Sequence, residues 1–467
     1  MEANILDQNQ SNQPTPSKRP TPQGPKFNWK LVLSLVVAML VSLLLIFGIK
    51  TDWYGLANMN FANESASTTS SQATSTSSSA SSESVASSSV SNEDTEATPE
   101  LSANQNDLLA TPETIPDKFV YDSGYDIAYP AEGVKGIYLS ADGATNPTLY
   151  EQNMALLDNT NLNTVVLDVK DDYGNITMDL PTEDASVNAA ETDAIDGKTL
   201  MQTFEDKQIY PIARITTFKD TNLAKAEPER SFQTADGQVW TNHGGDAFLN
   251  PYNKDNWAYL VETAKAAARA GFKDIQFDYV RFPEAFEMFG ESLTYDMGDY
   301  AEYGKDSTEA RQMVIADFLA YAREELKPYG VEVSADMFGY VTDVVATPGI
   351  GQNFNMMAEN VDAISAMIYP SHWGPGYFGL DYPDLHPYEV VDAYMKKENA
   401  LMQELDSPAK SRPWLQDFTA SYLADGTWKE YGPAEVQEQI DAVIDNGATE
   451  YLLWDAANEY SPDVDYK

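Results

Sequence analysis

The chain has 467 residues, 43% of them hydrophobic, and a formal net charge of −44. It has no cysteine and only three histidines, which excludes disulfides, thiolate metal sites and a cysteine nucleophile and argues against a multi-histidine zinc site. So acidic a surface repels nucleic acid, and no GxxxxGK[ST], GxGxxG, HExxH or GxSxG motif occurs to suggest phosphate-cradling, dinucleotide, zinc-protease or α/β-hydrolase chemistry.

Residues 1–30 are rich in proline and glutamine and predict a disordered cytoplasmic tail. Residues 31–49, LVLSLVVAMLVSLLLIFGI, carry no charge. At 1.5 Å per residue they span roughly 30 Å of hydrocarbon as a helix. Lys18, Arg19 and Lys26 precede them, so the N-terminus is expected inside the cell and the remainder outside. A cleaved signal peptide is the alternative, but the run is long for one and no clear A-x-A site follows. Residues 50–126 read as an extracellular linker. Their Ser/Thr-dominated centre at 65–100 has too few hydrophobes to offset chain entropy. The localisation expected is a single-pass protein of the cell membrane.

From 127 to 467 short β-rich runs alternate with helical segments. Strands are predicted at 134–140, 163–170, 210–218, 271–283, 331–339, 362–370, 412–418 and 450–456. Helices are predicted around 149–157, 199–207, 257–270, 308–326, 388–405 and 434–446. Eight strands, each separated by a helix or a long loop, predict a (β/α)8 barrel, an α/β TIM-barrel fold, with large insertions at 218–252 and 282–307. An open doubly wound sheet is the competing arrangement, and it lacks its nucleotide fingerprint here.

The fourth run, GFKDIQFDYVRFP, has an unusual alternation. Ile275, Phe277 and Tyr279 share one face, suited to packing under helices, while Asp274, Gln276 and Asp278 share the other. Barrel interiors are usually filled by Val, Ile and Leu. Carboxylates recur late in other strands: Asp168 in the second, Asp336 in the fifth, Asp455 in the eighth, and Asp417 in the seventh, where Gln416 is the alternative inward residue. A single late Asp is an ordinary cap or turn residue. Several converging on the C-terminal mouth, where barrel enzymes carry their chemistry, suit glycoside hydrolysis by a carboxylate pair. Tyr138, Trp240, Tyr369, Trp373, Trp414 and Trp454 are the aromatics available to stack on sugar faces.

DIQFDYVRFP, together with YPIARITTFKD, SADMFGY, AMIYPSHW and WLQDF, resembles the bacterial glycoside-hydrolase-like domain family long catalogued as of unknown function. The resemblance spans nearly all of 130–467. It implies a TIM barrel of glycosidase type on secreted or envelope-attached proteins, but no substrate and no assigned catalytic residues.

On the residues alone, Asp278 is expected as nucleophile or general base and Asp336 as general acid, on neighbouring strands. Asp168, Arg214, Gln276, Arg281, Tyr369, His372, Trp373 and Asp455 are expected to bind substrate or tune those two carboxyls. The expected partner is a cell-envelope or other polysaccharide, with the membrane contacted through one N-terminal helix. No cofactor and no catalytic metal are expected. A non-catalytic carbohydrate-binding barrel is the main alternative, and a metal-dependent deacetylase or esterase the third.

Overall fold

The computed structural model describes residues 120–467, apart from 345, 346 and 348. The predicted tail, the apolar run at 31–49 and most of the predicted linker lie outside the described residues. Among the described residues no helix is long and apolar enough to cross a membrane.

Eight parallel strands close into a barrel: β1 (Lys135–Leu139), β2 (Thr164–Lys170), β3 (Tyr210–Thr216), β4 (Asp274–Asp278), β5 (Glu332–Phe338), β6 (Ala363–Met367), β7 (Trp414–Gln416) and β8 (Tyr451–Trp454). Closure is made by β1, which pairs in parallel with β2 on one side and with β8 on the other. The helices in the connections include α1 (Pro147–Asn159), α2 (Gly197–Lys207), α3 (Lys254–Ala270), α4 (Thr308–Leu326), α5 (Phe354–Ala358), α6 (Pro387–Met402) and α7 (Pro433–Asp445). All eight strand positions predicted from the sequence are occupied. The insertion after β2 adds two short strands not foreseen in the sequence, Ile176–Met178 and Glu191–Ile195.

Local signals account for the ends of these elements. Asn253 caps α3 by accepting from the Asp255 amide, and Ser307 caps α4 by accepting from the Ala310 amide. Helix α3 stops at Gly271, whose φ of 117° no other residue adopts readily, and a Cβ there would meet the Tyr125 ring at 2.6 Å. Strand β7 is preceded by the two-residue piece Lys410–Ser411, which pairs with the start of β6. Pro413, with no amide proton to give the ladder, separates the two.

The alternation read in the fourth strand is realised. Ile275 and Phe277 join the large core between strands and helices, while Asp274, Gln276 and Asp278 face the lumen. A smaller apolar cluster inside the barrel includes Val166, Ile212, Tyr369, Trp414 and Leu452. Below it, at the N-terminal end, lies a buried ionic group. Arg412 donates to Asp274 at 2.6 Å and to Glu450 at 2.8 Å, and Ser334 donates to Asp274 at 2.7 Å. The Arg412 and Asp274 side chains are wholly shielded from solvent.

Removing one partner from such a group strands the others' charge without water. Arg412→Met is therefore expected to cost about 3–5 kcal/mol, read as a lowered urea midpoint by circular dichroism. An unchanged midpoint would mean that the group contributes nothing to holding the barrel closed.

Candidate active site

Arg214, in the middle of β3, organises the C-terminal mouth. Its Nη1 donates to Asp168 Oδ1 at 2.5 Å, and its Nε and Nη2 reach Asp278 Oδ2 at 2.9 and 2.7 Å. Nη2 also donates to Asp172 Oδ1 at 2.9 Å. The rings of Tyr138 and Trp454 lie 5.8 and 5.6 Å from the guanidinium carbon. The strand register explains the convergence. Asp168 stands opposite Arg214 on β2, and Thr216, two residues further along β3, stands opposite Asp278 on β4.

Asp336 sits differently. It follows the last aligned pair of β4 and β5, Phe277 with Ala335, by one residue, as Asp278 does on the neighbouring strand. The Trp414 indole donates to its Oδ1 at 2.8 Å, and among the described residues no cation is bonded to it. Burial, and then the negative charge of Asp278, raise its carboxyl well above the usual carboxylate range. Against the opposing effect of burial, Arg214 and Lys219 hold the Asp172 carboxyl well below that range. Burial lowers the His372 imidazole.

A cavity of about 230 Å³ opens above these groups, lined among others by Asp278, Asp336, Arg214, Tyr369, Trp414 and Trp454. Arg281 and His372 also line it. A wider cleft of about 800 Å³ lies on the barrel's flank between α1 and residues 458–464. Its only ionisable side chains besides Tyr460 are Glu459 and Asp463.

Residues 136–460 match the family described as "Putative glycosyl hydrolase domain". The chain belongs to this family. Among solved structures it is similar to a hypothetical protein from Ruminiclostridium thermocellum ATCC 27405, with 34% identity over 43% of this chain and 96% of that one and a TM-score of 0.37. It is also similar to the glycoside hydrolase domain of PgaB (BpsB) from Bordetella bronchiseptica, at 15% identity over 70% of this chain and 95% of that one, TM-score 0.48. A third is the spore cortex-lytic enzyme SleL of Bacillus cereus, at 14% identity over 70% and 72%, TM-score 0.41. No curated protein matches the chain.

Within this family member, four residues expected to touch substrate stand elsewhere. Asp168 lies behind Arg214, between it and the Tyr138 hydroxyl, which donates at 2.5 Å. Gln276 is one layer too deep. It is fully buried and donates to Ser365 at 3.3 Å. Trp373 turns away into a cluster with Tyr377, Phe378 and Tyr394. Asp455 closes the turn after β8, accepting from the Ala457 and Glu459 amides. Trp240, considered for sugar stacking, instead stacks on Phe289 at 4.8 Å in the insertions. Tyr279, expected beneath the helices, lines the cavity, because its φ of 48° turns the chain out of the strand.

Sequence reasoning missed Asp172 and Glu284, both of which line the cavity. Each sits just past a strand already singled out, in VKDD and VRFPE.

Asp417 makes neither a catalytic nor a cavity contact. It accepts from the amide and hydroxyl of Ser461 at 2.9 and 2.6 Å and so holds the C-terminal segment. Burial pushes its carboxyl up to about 6. The unfolded chain releases that proton near 3.9, so between about pH 4 and 6 the native state binds more protons and loses stability as pH rises. Two pKa units correspond to about 3 kcal/mol. Asp417→Asn is expected to flatten the fall of the urea midpoint between pH 4 and 6. Parallel profiles for variant and wild type would remove Asp417 as its source.

Proposed function

We propose that this chain is a membrane-anchored glycosidase that cleaves a cell-envelope or other polysaccharide outside the cell, with Asp336 as general acid and Asp278 as the partner carboxylate. The observation that carries this reading is the contrast between the two side chains. Asp278 is ion-paired to Arg214 on Oδ2 and accepts its own neighbour's amide on Oδ1. Asp336 is buried with a neutral donor, and its proton is retained well above the usual range. Two carboxyls in one cavity, one ion-paired to a guanidinium and the other buried against a neutral donor, are what acid-assisted glycosyl transfer needs.

The indole of Trp414 occupies Asp336 Oδ1, so the proton is given to the glycosidic oxygen from Oδ2. Equivalent positions on adjacent strands are about 4.8 Å apart. That supports a separation of about 5–5.5 Å between the carboxyls, the spacing of a retaining pair, with Asp278 as the nucleophile. Water then enters at the anomeric carbon, with Asp336 acting as base.

The apolar run at 31–49 and the cations before it support the anchor. In intact cells the barrel is expected to be released by external protease and the tail protected. The opposite pattern would reverse the orientation.

For the chemistry, Asp278→Asn and Asp336→Asn are each expected to lower kcat/KM roughly 10²–10⁴-fold. Because Asp336 must carry its proton, wild-type activity is expected to fall as pH rises through its elevated pKa. The Asn variant loses that limb and keeps more activity on aryl glycosides whose leaving group needs no protonation. Polysaccharide retained without any bond cleavage would place the chain among carbohydrate-binding barrels instead.

A further inference from the structure

The cavity draws its lining from nearly every sector around the barrel axis. Its lining comes from the C-terminal ends of seven successive strands or the loops after them: Asp172 beyond β2, Arg214 on β3, Arg281 beyond β4, Phe338 on β5, His372 beyond β6 and Trp454 on β8, with Trp414 of β7 below. The remaining sector, at β1, is filled by Tyr138, whose ring stacks on Trp454 at 4.2 Å. Beneath, the lumen is shut by buried Gln276, Ser334 and Ser365. A polysaccharide bound along its middle needs a trough open at two opposite ends, whereas among the described residues this lining is drawn from sector after sector around the axis.

The size agrees with the shape. About 230 Å³ falls below the roughly 300–1,000 Å³ of pockets that enclose drug-sized ligands. Such a space suits one sugar ring and not a run of several. The wall is also braced. The Arg281 guanidinium lies 4.8 Å from the ring centres of both Tyr279 and Phe338. Of the five N–H donors of an arginine, Arg281 spends one on Phe282 O and one on Glu284, a residue largely exposed at the rim. Among the described residues the others meet no further acceptor, which offers them to ring hydroxyls.

The geometry points to exo action: the site takes the non-reducing terminal residue of a glycan and releases it as a monosaccharide. This rests on the glycosidase reading above. The ring held beside Asp278 and Asp336 is the one whose anomeric carbon reacts, and in a blind pocket nothing can extend from its far side. The bond from that carbon to the bridging oxygen breaks. The proton from Asp336 goes to the oxygen of the departing chain, which leaves through the mouth. Water supplies hydroxide to the anomeric carbon and returns a proton to Asp336. One water is consumed, and one free sugar and a chain one residue shorter result.

The test uses the full-length chain in detergent, with Asp278→Asn as the blank. The probes are 4-nitrophenyl monoglycosides and reducing-end-labelled oligosaccharides from bacterial cell-wall polysaccharides, followed over time. The expected result is hydrolysis of at least one monoglycoside and, on the matching oligosaccharide, a labelled ladder losing one residue per turnover. Internal fragments as first products, with every monoglycoside intact, would overturn the pocket reading and leave the glycosidase standing. No cleavage of either probe type would overturn both.

Discussion

A guanidinium buried at the mouth of a barrel is tolerated only if carboxylates meet it, and Arg214 meets three: Asp168, Asp172 and Asp278. Taking such charges from water costs several kcal/mol per ion unless geometry and hydrogen bonds compensate. That requirement fixes the mouth. Asp168 must stand beside Arg214 on the preceding strand, Asp278 on the following one, and the loop after β2 must fold over to bring in Asp172. The same arrangement separates the two carboxyls that matter. Arg214 bonds to Asp278 and does not bond to Asp336, so the charge of Asp278 bears on Asp336 through a dry interior and adds to burial in keeping the latter protonated.

The lumen therefore has two ionic tiers with an apolar waist. Arg412 with Asp274 and Glu450 closes the bottom, Val166, Ile212, Trp414 and Leu452 fill the middle, and Arg214 with its carboxylates forms the top. The lower tier is sealed from solvent and offers nothing to a ligand. The upper one opens on the cavity. Position along the axis, and not residue type, decides whether a charged pair in this barrel is sealed in or faces the cavity. One strand serves both tiers, since β4 supplies Asp274 to the first and Asp278 to the second.

The sequence carries the barrel well because its signals are local. Helix α4 announces both its ends, Ser307 at the start and Pro328 two residues past its last residue Leu326, and the alternation of β4 assigns its two faces without any partner in view. It carries the site less completely, for three physical reasons. Alternation identifies the face but not the depth, so Gln276 and Asp278 look equivalent although only Asp278 reaches the cavity. Beyond a strand end the period of two no longer holds, so Trp373, expected at the mouth just past the sixth strand, and Asp455, placed late in the eighth, turn to the helix layer and to a turn cap. Residues such as Asp172 and Glu284 reach the cavity through loop geometry, and a loop has no periodicity to read. The short strands at Ile176–Met178 and Glu191–Ile195 escaped notice because the first has only three residues and the second is polar and exposed at its centre, with no apolar alternation to read.

Tyr279 shows how the strand's exit is built into the site. A non-glycine residue at φ 48° is uncommon and costs of order 1 kcal/mol or more. Here the surroundings impose it. The Tyr279 carbonyl accepts from the Phe218 and Arg281 amides, and its amide donates to Asp278 Oδ1 at 2.6 Å. Lys219 and Arg281 lie 4.7 and 4.8 Å from the ring centre. An extended residue at this point would carry the chain straight out of the barrel. The left-handed turn instead leaves both Asp278 oxygens bonded, one to its neighbour's amide and one to Arg214, and brings Arg281 back to the rim two residues later. The strain at one residue thus fixes the orientation of the proposed nucleophile and places the cation that closes the pocket wall.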